Sequence, residues 1–105
     1  MLSVVDRTTR VGRRDYAMIL LLATYGLRGI EVIRLTLDDI DWRKSGLRIA
    51  GRKAGNTTFY PLTAEVGEAI LVYLRNGRPC SSLRQLFLSV KAPFLPLIYT
   101  PRGLD

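Results

Sequence analysis

Residues 36–63 read "TLDDIDWRKSGLRIAGRKAGNTTFYPLT". Apolar Leu37, Ile40 and Trp42 are spaced through the first segment, and RKSG (43–46) follows as a turn. Leu47 and Ile49 then share one side of LRIAG (47–51), with Arg48 on the other. RKAGN (52–56) makes a second turn with Gly55-Asn56 at its tip, and TTFYPL (57–62) returns. Alternating apolar positions between turn-forming residues predict a small antiparallel meander over 36–62.

On the N-terminal side, RDYAMILLLATY (14–25) is apolar nearly all round. Its length and its Ala, Leu and Met content predict a helix buried on every face, ended by Gly26. GIEVIRL (29–35) makes a short second helix, with Ile30, Ile33 and Leu37 on one side and Glu31 and Arg34 on another. On the C-terminal side, Thr63 caps a third helix, TAEVGEAILVYLRNG (63–77). Its apolar positions Val66, Ala69, Ile70, Tyr73 and Leu74 recur at helical spacing, and Gly77 and Pro79 stop it. SSLRQLFLSV (81–90) suits a helical turn followed by a short extended segment. The order of elements is helix, helix, meander, helix. That is the α+β class: mainly helical with a small three-stranded antiparallel sheet. The expected organisation is a basic lead-in over 1–12, one domain over 13–92 and an irregular, proline-containing tail over 93–105.

The chain has 105 residues, a length suited to one domain or part of one. Sixteen Lys and Arg against nine Asp and Glu give a net charge of +7, and most of the basic residues are arginine. Guanidinium is a planar fork suited to phosphate oxygens, so this excess favours a polyanionic partner, nucleic acid first. The bland alternative is a solubilising surface. Arg13 and Arg14, with Arg7 and Arg10, form a basic cluster that is either a solvated face or a phosphate contact. Cys80 is the single cysteine, which excludes an intramolecular disulfide and suits a reducing cytoplasm. Histidine is absent. That excludes Ser-His and Cys-His catalysis and imidazole zinc sites. The apolar run after Gly12-Arg13-Arg14 is too short for a membrane span, so no membrane association is expected.

Two features carry candidate chemistry. Arg28 stands in YGLRGIEVIRL (25–35), at the junction of two helices and between two glycines. A buried arginine needs a compensating partner, either Glu31 in a salt bridge or an anion held with the backbone N–H groups nearby. The hairpin tip carries Arg52 and Lys53. Such a tip can reach into a nucleic-acid groove, and a lysine there is either an exposed turn residue or a proton donor to a leaving oxygen. Arginine holds its proton too tightly for that and instead stabilises charge on a phosphate.

The ordered set YAMILLLATYGLRGIEVIRLTLDDIDWRKSGLRIAGRKAGNTTFYPLT (16–63) resembles the first half of the catalytic domain of the tyrosine recombinases, or phage-type integrases. The matching features are an apolar helix, Gly-Leu-Arg-x-x-Glu, Leu-x-x-x-Asp-Ile-Asp, a lysine-bearing hairpin and Pro-Leu before a helix. The resemblance covers about residues 13–92. It implies that Arg28 clamps the scissile phosphate of double-stranded DNA and that Glu31 orients the site behind it. It also implies that Lys53 protonates the departing 5′-oxygen, while Arg52 contacts the DNA backbone. No metal, nucleotide or other cofactor is implied.

The departure from the family pattern is large. No His-x-x-Arg stretch is present, and Tyr99, in PLIYTPRG (96–103), does not stand in the nucleophile motif. The resemblance thus implies half an active site, inactive alone, from a truncated reading frame of a mobile element or from a segment cut out of one. The competing reading is a non-catalytic DNA-binding module, or one that pairs with a full-length recombinase. Self-association through uncovered apolar surface is a further expectation. DDID, with Asp38, Asp39 and Asp41, superficially suggests a metal-dependent nuclease, but the carboxylate such a site needs two residues before Lys53 is Gly51.

Overall fold

The computed structural model describes residues 7–50 and 57–89. Helix α1 (Arg10–Tyr25) is followed by the one-turn α2 (Gly29–Ile33) and a 3-10 turn at Leu37–Asp39. Strands β1 (Ile40–Asp41), β2 (Gly46–Ala50) and β3 (Thr57–Pro61) come next, and then helix α3 (Ala64–Asn76). The sheet is an antiparallel meander in the order β1-β2-β3, with Leu47 opposite both Ile40 and Tyr60. This is the α+β architecture expected, and the meander lies where the alternation placed it.

Three details differ from expectation. α1 begins at Arg10, inside the expected lead-in, because Thr9 caps it by accepting the Gly12 N–H at 2.9 Å. α1 is also not buried all round: Ala17, Met18, Leu20 and Leu21 are enclosed, while Ile19 and Leu22 are half-buried and Ala23 and Thr24 are exposed. The first strand is only two residues long. Leu37 falls in the 3-10 turn because Asp39 accepts the Thr36 N–H at 2.9 Å, which folds the chain before it can extend.

α1 and α3 pack antiparallel, since the start of α1 meets the end of α3 and the end of α1 meets the start of α3. Between them and the inner face of the sheet lies a single apolar cluster that includes Met18, Leu21, Val32, Leu47, Ile49, Ile70 and Tyr73. Leu86 and Phe87 complete it, each fully enclosed. The segment after α3 forms no helical turn among the described residues. It runs extended beside residues 35–37, with Leu86 N–H on the Leu35 carbonyl at 2.9 Å and Leu37 N–H on the Arg84 carbonyl at 2.8 Å. Phe87 stacks on Tyr73 with ring centroids 5.4 Å apart. Gly77 permits the tight exit from α3: a Cβ there would stand 3.0 Å from the Tyr73 ring and 3.2 Å from its carbonyl.

Candidate functional site

Arg28 is the N-cap of α2, and its side chain is exposed. Gly26 makes the approach possible. It ends α1 in the left-handed region at φ +66°, with its N–H still bonded to the Leu22 carbonyl at 3.0 Å. Leu27 then turns into the core, and Arg28 turns out. Glu31 does not pair with the guanidinium. Its Oε1 accepts the Arg28 backbone N–H at 2.8 Å, a capping contact that fixes the main chain and leaves the charge unused. No hydrogen bond or ion pair joins the Arg28 guanidinium to another described residue. The buried salt bridge weighed as an alternative for this pair is therefore not formed. With five residues, α2 is also too short to add an appreciable helix dipole at its start.

The basic cluster at the start of α1 has a structural use that composition did not reveal. Arg10 donates from Nε to the Gly77 carbonyl at 3.1 Å, and Arg13 donates from Nη1 to the Asn76 carbonyl at 2.7 Å. Both satisfy carbonyl groups at the C-terminus of α3, where positive charge is favoured. Arg14 is 2% exposed. Its Nη1 donates to the Leu88 carbonyl at 3.2 Å and its Nε to Asp15 at 3.0 Å. The DNA contact expected of Arg14 would require its guanidinium to leave this enclosed position. Arg7 lies over the Tyr16 ring at 4.5 Å, and Arg78 donates to the carbonyls of Leu83, Gln85 and Leu86. This basic end of α1 is about 24 Å from the Arg28 end, at 1.5 Å per residue over its 16 residues.

Arg52 and Lys53 lie outside the described residues. The strands that lead to them are in register from Gly46–Pro61 to Ala50–Thr57.

The acidic DDID stretch is committed elsewhere. Asp38 pairs with Arg84 at 2.6 Å, and that guanidinium holds its carboxyl below the ordinary aspartate range. Asp39 caps the 3-10 turn and pairs with Arg48 at 2.9 Å, and Asp41 accepts the Lys44 N–H at 3.1 Å. No group of three or more Asp, Glu or Cys side chains among the described residues is arranged to hold a metal ion. No helix among them is long and apolar enough to cross a membrane.

The family model described as the phage integrase family matches residues 2–95. The chain belongs to this family. It is 49% identical over 89 residues to a Sinorhizobium fredii protein named "Putative integrase/recombinase y4gC", covering 85% of the chain. It is also 49% identical over 104 residues to y4rA of the same organism, covering 99% of the chain. The tyrosine recombinase XerC of Staphylococcus haemolyticus is 30% identical over 104 residues. The chain spans 46% of y4gC, 25% of y4rA and 34% of this XerC. Within this member of the family, Arg28 and Glu31 form one local unit at the α1–α2 junction, with the Arg28 side chain exposed. The signal that sequence reasoning missed is Tyr25, whose partners lie 36 and 38 residues away.

Proposed function

We propose that this chain supplies the phosphate-clamping part of a DNA strand-cleaving and rejoining site of the tyrosine-recombinase kind. The observation that carries the reading is Arg28: exposed, fixed through its backbone by Glu31, and with a guanidinium that no described residue engages. An exposed cation on a fixed backbone, with no partner among the described residues, is suited to an anionic ligand, and a planar fork is suited to phosphate oxygens. In the complete reaction, a tyrosine oxygen attacks the scissile phosphorus, the bond to the 5′-oxygen breaks and a 3′-phosphotyrosine forms. Arg28 stabilises charge on the phosphate oxygens as this happens, Lys53 gives the departing 5′-oxygen its proton, and Glu31 keeps Arg28 in place. Arg52 and Arg13 contact the DNA backbone; Arg13 has donors beyond the one that Asn76 uses.

These 105 residues contain no histidine and hence no His-x-x-Arg stretch. Alone they are expected to bind duplex DNA weakly and to leave it intact. The direct test is covalent trapping on a nicked duplex that prevents religation. No protein–DNA adduct is the expected result, and an adduct would overturn the half-site reading. Arg28→Ala is expected to weaken duplex binding in the same preparation, and unchanged affinity would remove the clamp assignment.

A second reading is a non-catalytic module that binds DNA or pairs with a full-length recombinase in the cytoplasm of a cell carrying the mobile element. Phe59 at 73% exposure and Trp42 at 41% offer apolar surface for such pairing or for self-association. Sedimentation at rising concentration tests the self-association; a strictly monomeric chain counts against it.

A further inference from the structure

One hydroxyl links the end of α1 by hydrogen bonds to both the sheet and α3. Tyr25 donates to the Pro61 carbonyl at 2.7 Å, and the same oxygen accepts the Thr63 N–H at 3.1 Å. Its ring rests against Tyr60 at 5.2 Å, tilted by 47°. Pro61 is the last residue of β3 and Thr63 is the N-cap of α3. One side chain therefore joins α1, the end of β3 and the start of α3.

Arg28 follows Tyr25 by three residues. The intervening Gly26 is in the left-handed region, and Leu27 is buried at 9% exposure. The junction is thus fixed from two directions. Glu31 sets the main chain of Arg28 relative to α2, and Tyr25 sets the end of α1 relative to the sheet. We propose that Tyr25 is a positioning residue: its hydroxyl holds the α1–α2 junction against the end of β3 and thereby fixes where the Arg28 guanidinium meets a phosphate. This rests on the reading of Arg28 as a phosphate clamp. A planar donor fork loses much of its value when displaced by a fraction of its hydrogen-bond length, so a group three residues away controls binding without touching the ligand. Phenylalanine at position 25 keeps the ring contact with Tyr60 and removes both hydrogen bonds.

The experiment is a double-mutant cycle on the 105-residue chain. Binding to a fluorescein-labelled DNA duplex of arbitrary sequence is followed by anisotropy at fixed salt, and each variant is also melted. Tyr25→Phe is expected to weaken binding by about three- to tenfold, the scale of one or two net hydrogen bonds. In the Arg28→Ala background it is expected to change nothing further, because a residue that acts through Arg28 has no effect without it. Ile70→Val, a core change of comparable melting loss, is expected to leave affinity unchanged. If Arg28→Ala weakens binding but Tyr25→Phe has no effect or adds independently, the positioning role is overturned and the clamp stands. If Ile70→Val weakens binding as much as Tyr25→Phe, the effect is one of general stability and the positioning role is again overturned. If Arg28→Ala itself has no effect, the clamp falls and the positioning role with it.

Discussion

Gly26 stands at φ +66° with nothing within 4 Å of where a Cβ would be placed. Its requirement is therefore conformational and not steric. Gly26→Ala is expected to cost about 1 kcal/mol of stability through the left-handed backbone alone, measurable by urea unfolding. A loss of several kcal/mol would mean that the junction rearranges. Tyr73 gives a second prediction at this scale. Burial pushes its phenol up from the ordinary value, and its oxygen accepts the Leu88 N–H at 3.1 Å. A raised folded pKa means that the neutral phenol is the form the fold accommodates. Stability is flat below the ordinary tyrosine value of about 10 and falls as pH rises from there toward the folded value. Alkaline unfolding monitored by circular dichroism checks this, and Tyr73→Phe is expected to flatten the profile while leaving the Leu88 N–H without its acceptor, at about 1–3 kcal/mol.

Among the elements, α3 was the most legible, because local rules determine it. Thr63 accepts the Val66 N–H at 3.1 Å, and Val66, Ala69, Ile70 and Tyr73 are the enclosed stripe. Thr63→Ala is expected to cost about 1 kcal/mol, read as a lower urea midpoint at unchanged slope. β2 was equally readable, with Leu47 and Ile49 inward and Arg48 outward. β1 was not, since a capping aspartate competed with the extended chain and turned Leu37 into a 3-10 turn. The arginines at the start of α1 looked like a surface for a polyanion. Arg10, Arg13 and Arg14 each donate to a carbonyl more than sixty residues away, a pairing that composition cannot express.

Over the whole molecule, a charge of +7 predicts binding to duplex DNA that weakens steeply with salt. Arg28→Ala is expected to reduce the slope of log K against log salt by about 1, the contribution of one phosphate contact. Titration at several salt concentrations reads this directly, and an unchanged slope would place Arg28 away from the DNA backbone. The antiparallel packing of α1 and α3 separates two kinds of arginine. Those at the start of α1 close the end of α3, while Arg28 at the other end remains exposed.

The sequence by itself determined the α+β class, the meander and its inward face, the third helix with its cap, and the position of Arg28 at a helix junction. All of these follow from periodicity, caps and turn residues acting over a few positions. Tertiary structure decided the rest. It enclosed Arg14, assigned Glu31 to the backbone of Arg28 rather than to its charge, brought Leu86 and Phe87 into the core, and joined Tyr25 to the end of β3. The physical reason is distance along the chain. A hydrogen bond spanning 36 residues, or one spanning 74, leaves no local pattern and exists only once the core has brought its partners together.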